Sequence, residues 1–148
     1  MEKNDKIVLD NIKKFGWHVV IVPTDDKGPG FAFSIGIYKN FGQPEIIIFG
    51  LKNEVMHWVI NEYGNQVKNG KRFEPGVGYD GFLDESKCIF VNVNKNHYRE
   101  YLGSALWYYK EQEFPAVQCV WPSKTTGLYP WDKKVARIVI DSEPLLNK

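Results

Sequence analysis

The sequence predicts one α+β domain, spanning residues 1–148, in which helices pack on a largely antiparallel sheet. Three observations lead to this fold class. The chain has 148 residues, the usual size of one domain. Some segments repeat their apolar residues every two positions, and others repeat them at helical spacing. These segments do not alternate strictly, as a doubly wound parallel sheet requires. We therefore expect two long helices, a short N-terminal helix and a sheet that is open or barrel-like.

The first half of the chain predicts the short helix and three strands. Apolar residues at helical spacing end at Gly16 and predict the N-terminal helix. The predicted strands cover residues 17–22, 31–37 and 45–49. In the second strand, bulky residues alternate with Ala32, Ser34 and Gly36. This small face would let a ligand or another backbone approach closely.

The rest of the chain predicts the two long helices and further strands. Apolar positions predict one helix over residues 53–69 and another over residues 98–109, where six residues form a single stripe. The predicted strands cover residues 79–83, 88–93, 116–121 and 135–140. We expect the first two of these to pair as a hairpin.

Composition and charge exclude several function classes. Hydrophobic residues make up 43% and charged residues 25% of the chain, which is ordinary for globular proteins and excludes disordered, collagen-like and coiled-coil classes. The formal net charge is only +1, so we expect neither nucleic acid nor a membrane surface as a partner. Aromatic residues reach 15%, and such side chains concentrate in cores and recognition surfaces.

The sequence predicts a cytoplasmic protein. Its charged beginning contains no apolar run long enough for a secretion signal. The longest apolar runs hold a few residues each, whereas a membrane-spanning helix needs roughly 20. Cys88 and Cys119 lie in apolar runs, so we expect buried free thiols and no disulfide.

No catalytic or metal-binding motif is present in the sequence. His18, His57 and His97 are isolated from one another and from the cysteines, whereas a metal site needs several converging ligands. Ser34 lacks the first glycine of a nucleophile elbow. The glycine pattern of residues 76–81 precedes a predicted strand, whereas a dinucleotide-binding fingerprint opens a helix. We therefore predict no catalytic residue, no metal and no cofactor.

Several polar residues have apolar or aromatic neighbours in the sequence, where a polar group needs an internal partner or a ligand. A loop over residues 121–132 is especially rich in such neighbours, because it contains two Trp, a Tyr and two Pro. Such a loop is either a lid on the core or a recognition surface. The candidate binding residues are Glu45, Arg72, Gln118, Trp121, Tyr129, Trp131 and Asp132.

Short motifs in a fixed order connect the chain to a known family. They are Gly16-Trp17, Gly-Pro-Gly-Phe-Ala-Phe-Ser-Ile-Gly-Ile at residues 28–37, Gln-Pro-Glu-Ile-Ile at 43–47, Phe-Glu-Pro-Gly at 73–76, Gln-Cys-Val-Trp-Pro at 118–122 and Tyr-Pro-Trp at 129–131. With these motifs, residues 16–132 resemble a bacterial family known as domain of unknown function 4262. The family pattern carries Asp after the Trp-Pro pair, where this chain has Ser123. The resemblance implies a bacterial, cytoplasmic, single-domain protein and brings no established activity.

Three functions are compatible with these observations. The first is a non-enzymatic binding protein, such as an immunity protein that neutralises a toxin through the aromatic residues of the loop 121–132. The second is a binding site for a nucleotide- or flavin-like small molecule, or an enzyme, beside the strand 31–37, with Glu45, Arg72 and Gln118 as polar contacts. The third is a structural subunit of an assembly.

Overall fold

The computed structural model describes residues 3–110 and 112–148 of the chain. The α-helices in these residues are α1 (Lys3–Phe15), α2 (Ile37–Phe41), α3 (Asn53–Lys68), α4 (Tyr98–Tyr101), α5 (Gly103–Tyr109) and α6 (Arg137–Ser142). The strands are β1 (His18–Val22), β2 (Phe31–Ile35), β3 (Glu45–Phe49), β4 (Gly78–Tyr79), β5 (Cys88–Asn92) and β6 (Ala116–Val120). The predicted α+β class is confirmed.

The six strands form one sheet in the order β1-β2-β3-β6-β5-β4. Four pairings are antiparallel, and the central pairing of β3 with β6 is parallel. The largely antiparallel sheet is therefore confirmed, but the barrel-like closure is wrong. Closure would require β1 to pair with β4, and β4 has only two residues, so the sheet stays open.

Helices cover both faces of the sheet, and an apolar core lies on each face. On one face, Met56 and Ile60 of α3 belong to the same core as Ile46 and Ile48 of β3. On the other face, the core contains Ile47 together with residues of α4 and α5. The central strands β3 and β6 are buried along their whole length. Burial on both faces explains why the sequence of β3 is an almost unbroken apolar run.

A short helix, α2, replaces the end of the second predicted strand. β2 ends at Ile35, and α2 lies between Gly36 and Gly42, whose φ angles are 110° and 72°. Glycine adopts positive φ angles without steric strain. A Cβ atom on Gly36 would also lie 3.0 Å from the Ile12 side chain. The predicted strand over 31–37 therefore extends beyond the observed one, because the chain turns into a helix at Gly36.

Two predicted elements of the second half are wrong. The long helix predicted over 98–109 is interrupted at Leu102, whose φ and ψ angles are −115° and 35°, and it forms the short helices α4 and α5. The strand predicted over 135–140 is replaced by α6. The long helix predicted over 53–69 is present as α3. No helix in the described part of the chain has both the length and the apolar character to cross a membrane.

The predicted hairpin and N-terminal helix differ from the structure only in extent. β4 and β5 pair in antiparallel orientation, with Tyr79 opposite Cys88, but β4 ends at Tyr79. The N-terminal helix, predicted to be short, has 13 residues in its described part.

Candidate functional site

The predicted site residues lie in three parts of the fold. Glu45 is the first residue of β3. Gln118 lies in the middle of β6, the parallel neighbour of β3. Arg72 follows the C-terminal end of α3. The loop after β6 carries the other four residues, which are Trp121, Tyr129, Trp131 and Asp132.

Glu45 is completely buried, and its carboxyl group is surrounded by hydrogen-bond donors. The donors are the hydroxyl groups of Ser34 (2.7 Å) and Tyr109 and the backbone N–H groups of Gly36 (3.0 Å), Ile37 (3.2 Å) and Tyr38 (3.1 Å). The three N–H groups belong to the start of α2, so Glu45 caps this helix from a neighbouring strand.

The partners of Glu45 indicate a structural role. Burial raises the pKa of its carboxyl group, and the hydrogen bonds from Tyr109 and Ser34 oppose that shift. The Ser34 hydroxyl group also accepts the Ile46 N–H at 3.0 Å. Both carboxyl oxygens are therefore engaged inside the protein, and Glu45 has no free lone pair that faces solvent.

Arg72 is exposed and is not joined to the other polar candidates. Its Nη1 atom donates to the Lys71 carbonyl oxygen at 2.9 Å and, more weakly, to the Val67 carbonyl oxygen at 3.4 Å. These bonds satisfy carbonyl groups at the end of α3. No hydrogen bond in the described residues links any two of Glu45, Arg72 and Gln118.

Gln118 is completely buried and holds the C-terminal segment of the chain. Its Nε2 atom donates to the Pro144 carbonyl oxygen at 2.8 Å, and its Oε1 atom accepts the Leu146 N–H at 2.9 Å. The Leu146 carbonyl oxygen in turn accepts the Asn94 N–H at 2.7 Å. We call residues 143–148 the C-terminal tail. Its backbone is thus fixed on the sheet by one side chain of β6 and one backbone group after β5.

Trp121 joins the ends of the two parallel strands to the C-terminal tail. Its indole Nε1 atom donates to the Phe49 carbonyl oxygen at the end of β3, at 2.8 Å. Its backbone N–H donates to Oε1 of Glu143 at 2.9 Å. The ring is half-buried against the core on the α3 face. Trp121 therefore has a structural role, because it connects the C-terminal ends of the central strands β3 and β6 to the tail.

Glu143 is a site residue that sequence reasoning missed. Its side chain is buried, and among the described residues its Oε2 atom has no hydrogen-bond partner. Burial raises the pKa of Glu143 to about 9, and the Trp121 N–H only partly opposes this shift. The carboxyl group is therefore neutral at pH 7. The sequence offered one signal, the apolar pair Leu145 and Leu146 within an otherwise polar terminus.

Two buried thiols lie near Glu143. Cys88 and Cys119 are buried and free, as predicted. A hydrogen bond with Cys88, burial and the nearby Glu143 carboxyl group raise the pKa of Cys119 well above its usual value. Because the thiolate is the nucleophile, a protonated buried thiol favours a structural role. Within residues 3–110 and 112–148, no three His, Cys, Asp or Glu residues are placed to hold a metal ion.

The loop after β6 carries one exposed aromatic ring, that of Trp131, which stacks on the ring of Tyr129. The rings of Tyr129 and Trp131 stack in parallel, with centroids 5.2 Å apart and planes 4° apart. The Tyr129 hydroxyl group donates to the Lys87 carbonyl oxygen at 2.7 Å, and the Tyr129 N–H donates to Oδ2 of Asp132 at 2.8 Å. Pro130, which lies between the two aromatic residues in the sequence, is buried, whereas Trp131 remains 41% exposed. The loop thus combines an anchored part with an exposed part.

A family model described as Domain of unknown function (DUF4262) matches residues 11–136. The chain belongs to this family. Neither a curated protein nor a solved structure matches the chain. Membership in DUF4262 confirms the resemblance found in the sequence motifs and assigns no activity.

The DUF4262 region contains every predicted site residue but not the C-terminal tail. Glu45, Gln118 and Trp131 lie within residues 11–136, whereas Glu143 follows them. Ser123, at the position where the sequence resemblance leads us to expect Asp, accepts the N–H groups of residues 125 and 126 at 3.3 and 3.4 Å. An Asp side chain can accept the same type of hydrogen bond, so the departure is compatible with the same loop conformation.

Proposed function

We propose that this DUF4262 protein is a non-catalytic protein-binding domain whose contact surface is centred on Trp131. One observation carries the proposal: Trp131 is 41% exposed while its ring is held flat against Tyr129. Tryptophan and tyrosine are among the residues that contribute most to binding energy at protein interfaces. An exposed tryptophan with a fixed orientation therefore offers a ready contact.

The fixed position of Tyr129, on which Trp131 stacks, lowers the entropic cost of binding a partner. Tyr129 is held through its hydroxyl group by Lys87 and through its backbone by Asp132. The buried Pro130 restricts the backbone between the two rings. Side chains that are already ordered lose less conformational entropy when a partner binds. This preorganisation favours a recognition surface over a mobile lid.

The state of the buried polar groups supports a non-catalytic function. The Glu45 carboxyl group is engaged by internal donors, and the Cys119 thiol is held in its protonated form. Gln118 uses both ends of its amide on the C-terminal tail. None of these groups is free to act on a substrate in the conformation described.

A small-molecule site beside β2 has less support. The small residues of the predicted strand over 31–37 leave no open space for a ligand, because Ser34 in β2 bonds to Glu45 and Gly36, at the start of α2, packs against Ile12. An open groove of about 600 Å³ lies between α1 and α2, but neither Glu45 nor Gln118 lines it. Two predictions concern the identity of the partner. One is that the partner is a toxin, and the other is that it is a subunit of a larger assembly.

The proposal is tested by replacing Trp131 and a matched control tryptophan. The full chain is used as bait in an extract of its host, and each captured protein is purified and titrated directly against the chain by calorimetry. We expect Trp131→Ala to weaken the interaction at least tenfold and to leave the melting temperature nearly unchanged. Trp58 is 51% exposed on α3, so Trp58→Ala serves as the control and should bind like the original protein.

Two results would contradict the proposal. One is a captured partner that binds the Trp131→Ala variant as tightly as the original protein. The other is unfolding of that variant, because a ring required for folding belongs to the core and not to a contact surface.

A further inference from the structure

The C-terminal tail lies on the domain in the manner of a bound peptide. Gln118 holds its backbone at residues 144 and 146, two positions apart in a segment that is neither helix nor strand. The Asn94 N–H holds the carbonyl oxygen of Leu146. Recognition of alternate backbone groups is how domains hold extended peptides, while pockets for the side chains between them provide specificity.

The side chains of the tail occupy defined places. Leu146 is 1% exposed and belongs to the core that contains Val93, Tyr98 and Leu102. Glu143 places its Oε1 atom on the Trp121 N–H. The groove formed by Asn94, Gln118 and Trp121, which we call the tail groove, therefore receives a carboxyl group and, three residues later, a leucine.

The tail groove and the tail belong to different parts of the chain. Asn94, Gln118 and Trp121 all lie within residues 11–136, which match the family model. The tail follows this region, and α6 connects the two. The residues that form the groove therefore lie within the part of the chain that the family model matches, and the segment that fills it follows that part.

The attachment of the tail has two weak points. Of the six residues of α6, only Val139 is buried, while Ile138 is 74% exposed. The Oε2 atom of Glu143 is buried without a hydrogen-bond partner in the described residues. Desolvation of an unpaired polar group opposes binding. The tail is therefore bound less favourably than its buried leucine alone would allow.

We propose that the tail groove is a peptide-binding site that the chain's own tail fills, and that it accepts from another protein an extended segment with Glu or Gln three residues before Leu. The tail competes with such a segment for the same contacts. Trp131 contacts none of the three residues that form the tail groove by a hydrogen bond in the described structure, and each proposal has its own binding measurement, so either can fail without the other.

The charge around Glu143 predicts how binding depends on pH. The groups that face its carboxyl group are the Trp121 N–H, the thiols of Cys88 and Cys119 and the phenol of Tyr129. No cation is among them. A glutamate therefore enters the groove in its protonated form, and its binding weakens as the pH rises from 6 to 9. A glutamine at the same position binds with little dependence on pH over that range.

The test measures binding of a labelled copy of the tail to the full chain. The probe is the fluorescein-labelled peptide Ser-Glu-Pro-Leu-Leu-Asn-Lys, the sequence of residues 142–148, followed by fluorescence anisotropy. We expect Leu146→Ala, which weakens the chain's own tail, to bind this peptide at least tenfold more tightly than the original protein does. Asn147 is exposed, so Asn147→Ala is the matched control and should bind like the original. A peptide with Ala at its fifth position should not bind.

Three outcomes would overturn the proposal. The first is a folded Leu146→Ala variant that does not bind the peptide. The second, measured on the original chain by hydrogen exchange, is a Leu146 amide that exchanges as slowly as the amides of β6, since the tail then leaves the groove only when the whole protein unfolds. The third is a dimer formed by exchange of tails, which would make the groove a self-association site.

Discussion

The burial of Glu45 shows how a single residue can set the local course of the chain. Its carboxyl group binds the N–H groups at the start of α2 and the hydroxyl groups of Ser34 and Tyr109. Tyr109 lies 64 residues further along the chain. The sequence predicts that a polar residue next to Pro44 needs a partner, but it cannot identify partners that only the folded sheet brings close. Glu45 thus couples β2, α2, β3 and α5.

We expect Glu45→Gln to lower the free energy of unfolding by about 2–3 kcal/mol. An amide group presents an NH₂ group where the carboxyl group has an acceptor, so buried donors of α2 lose their partner. Denaturant unfolding followed by circular dichroism measures the effect. Glu85 is exposed in the loop before β5, and Glu85→Gln should change stability by less than about 0.5 kcal/mol. Equal stability of the two variants would rule out the capping role of Glu45.

The helices and strands differ in how far the sequence predicts them. The strands β1, β3 and β6 lie near their predicted positions, because apolar β-branched runs bounded by Gly or Pro are a strong local signal. The strand β5 also lies near its predicted position, although polar residues precede it. The interruption of the helix at Leu102 was not predicted, because the apolar stripe continues across this residue. The helix α6 was predicted as a strand from its β-branched residues, but Ile138 and Ile140 remain exposed and pack in no sheet. In both cases the local residue pattern favours a structure that the chain does not adopt.

Two helical glycines should respond in opposite directions to replacement by alanine. A Cβ atom on Gly64 of α3 would lie 2.7 Å from the ring of Trp17, so Gly64→Ala should destabilise the protein by about 1–3 kcal/mol. A Cβ atom on Gly103 of α5 would meet nothing within 4 Å, so Gly103→Ala should stabilise it by about 0.5 kcal/mol. Thermal melts of both variants compare the effects directly. Destabilisation of similar size in both would mean that close packing against Trp17 is not the cause.

At the scale of the whole molecule, the fold separates Glu45 from Gln118, which were predicted to belong to one binding site, and brings Gln118 and Trp121 to the same segment. Gln118 and Trp121 both contact the C-terminal tail. The position of Gln118 inside an apolar strand predicts that its side chain needs a hydrogen-bond partner. Glu45 lies instead at the opposite end of the parallel strands, with the start of α2. The partners of Gln118 could not be predicted, because Pro144 and Leu146 lie in a segment that has no periodic pattern.

The buried carboxyl groups make global stability depend on pH. At pH 7 Glu143 is neutral in the folded protein, since burial raises its pKa to about 9, but it is ionised in the unfolded chain, where its pKa is 4.5. Its contribution is fully present below pH 4.5 and is lost as the pH rises through about 9. The free energy of unfolding should therefore fall between pH 7 and pH 8.5, by about 1 kcal/mol per pH unit.

Urea titrations at several pH values test this dependence. In Glu143→Gln the decline should become shallower, but it should not vanish, because the pKa of Glu45 is also raised. The pKa of His18 is lowered by burial, so the protonation of His18 affects the free energy of unfolding below pH 6.5, outside the measured range. Glu85→Gln should retain the original slope. A slope that is the same in the original protein and in Glu143→Gln would show that Glu143 ionises normally.

The parallel pairing of β3 with β6 also has a consequence for folding kinetics. The two strands are separated in sequence by α3, β4, β5 and the helices α4 and α5. The antiparallel pairs on either side join segments much closer in sequence, so each half of the sheet can form early, while the central pairing must close a long loop. Docking of the two halves should be the slow step. A backbone cut within the exposed residues 74–77 would leave both halves intact, and the two fragments should reassemble into the native sheet.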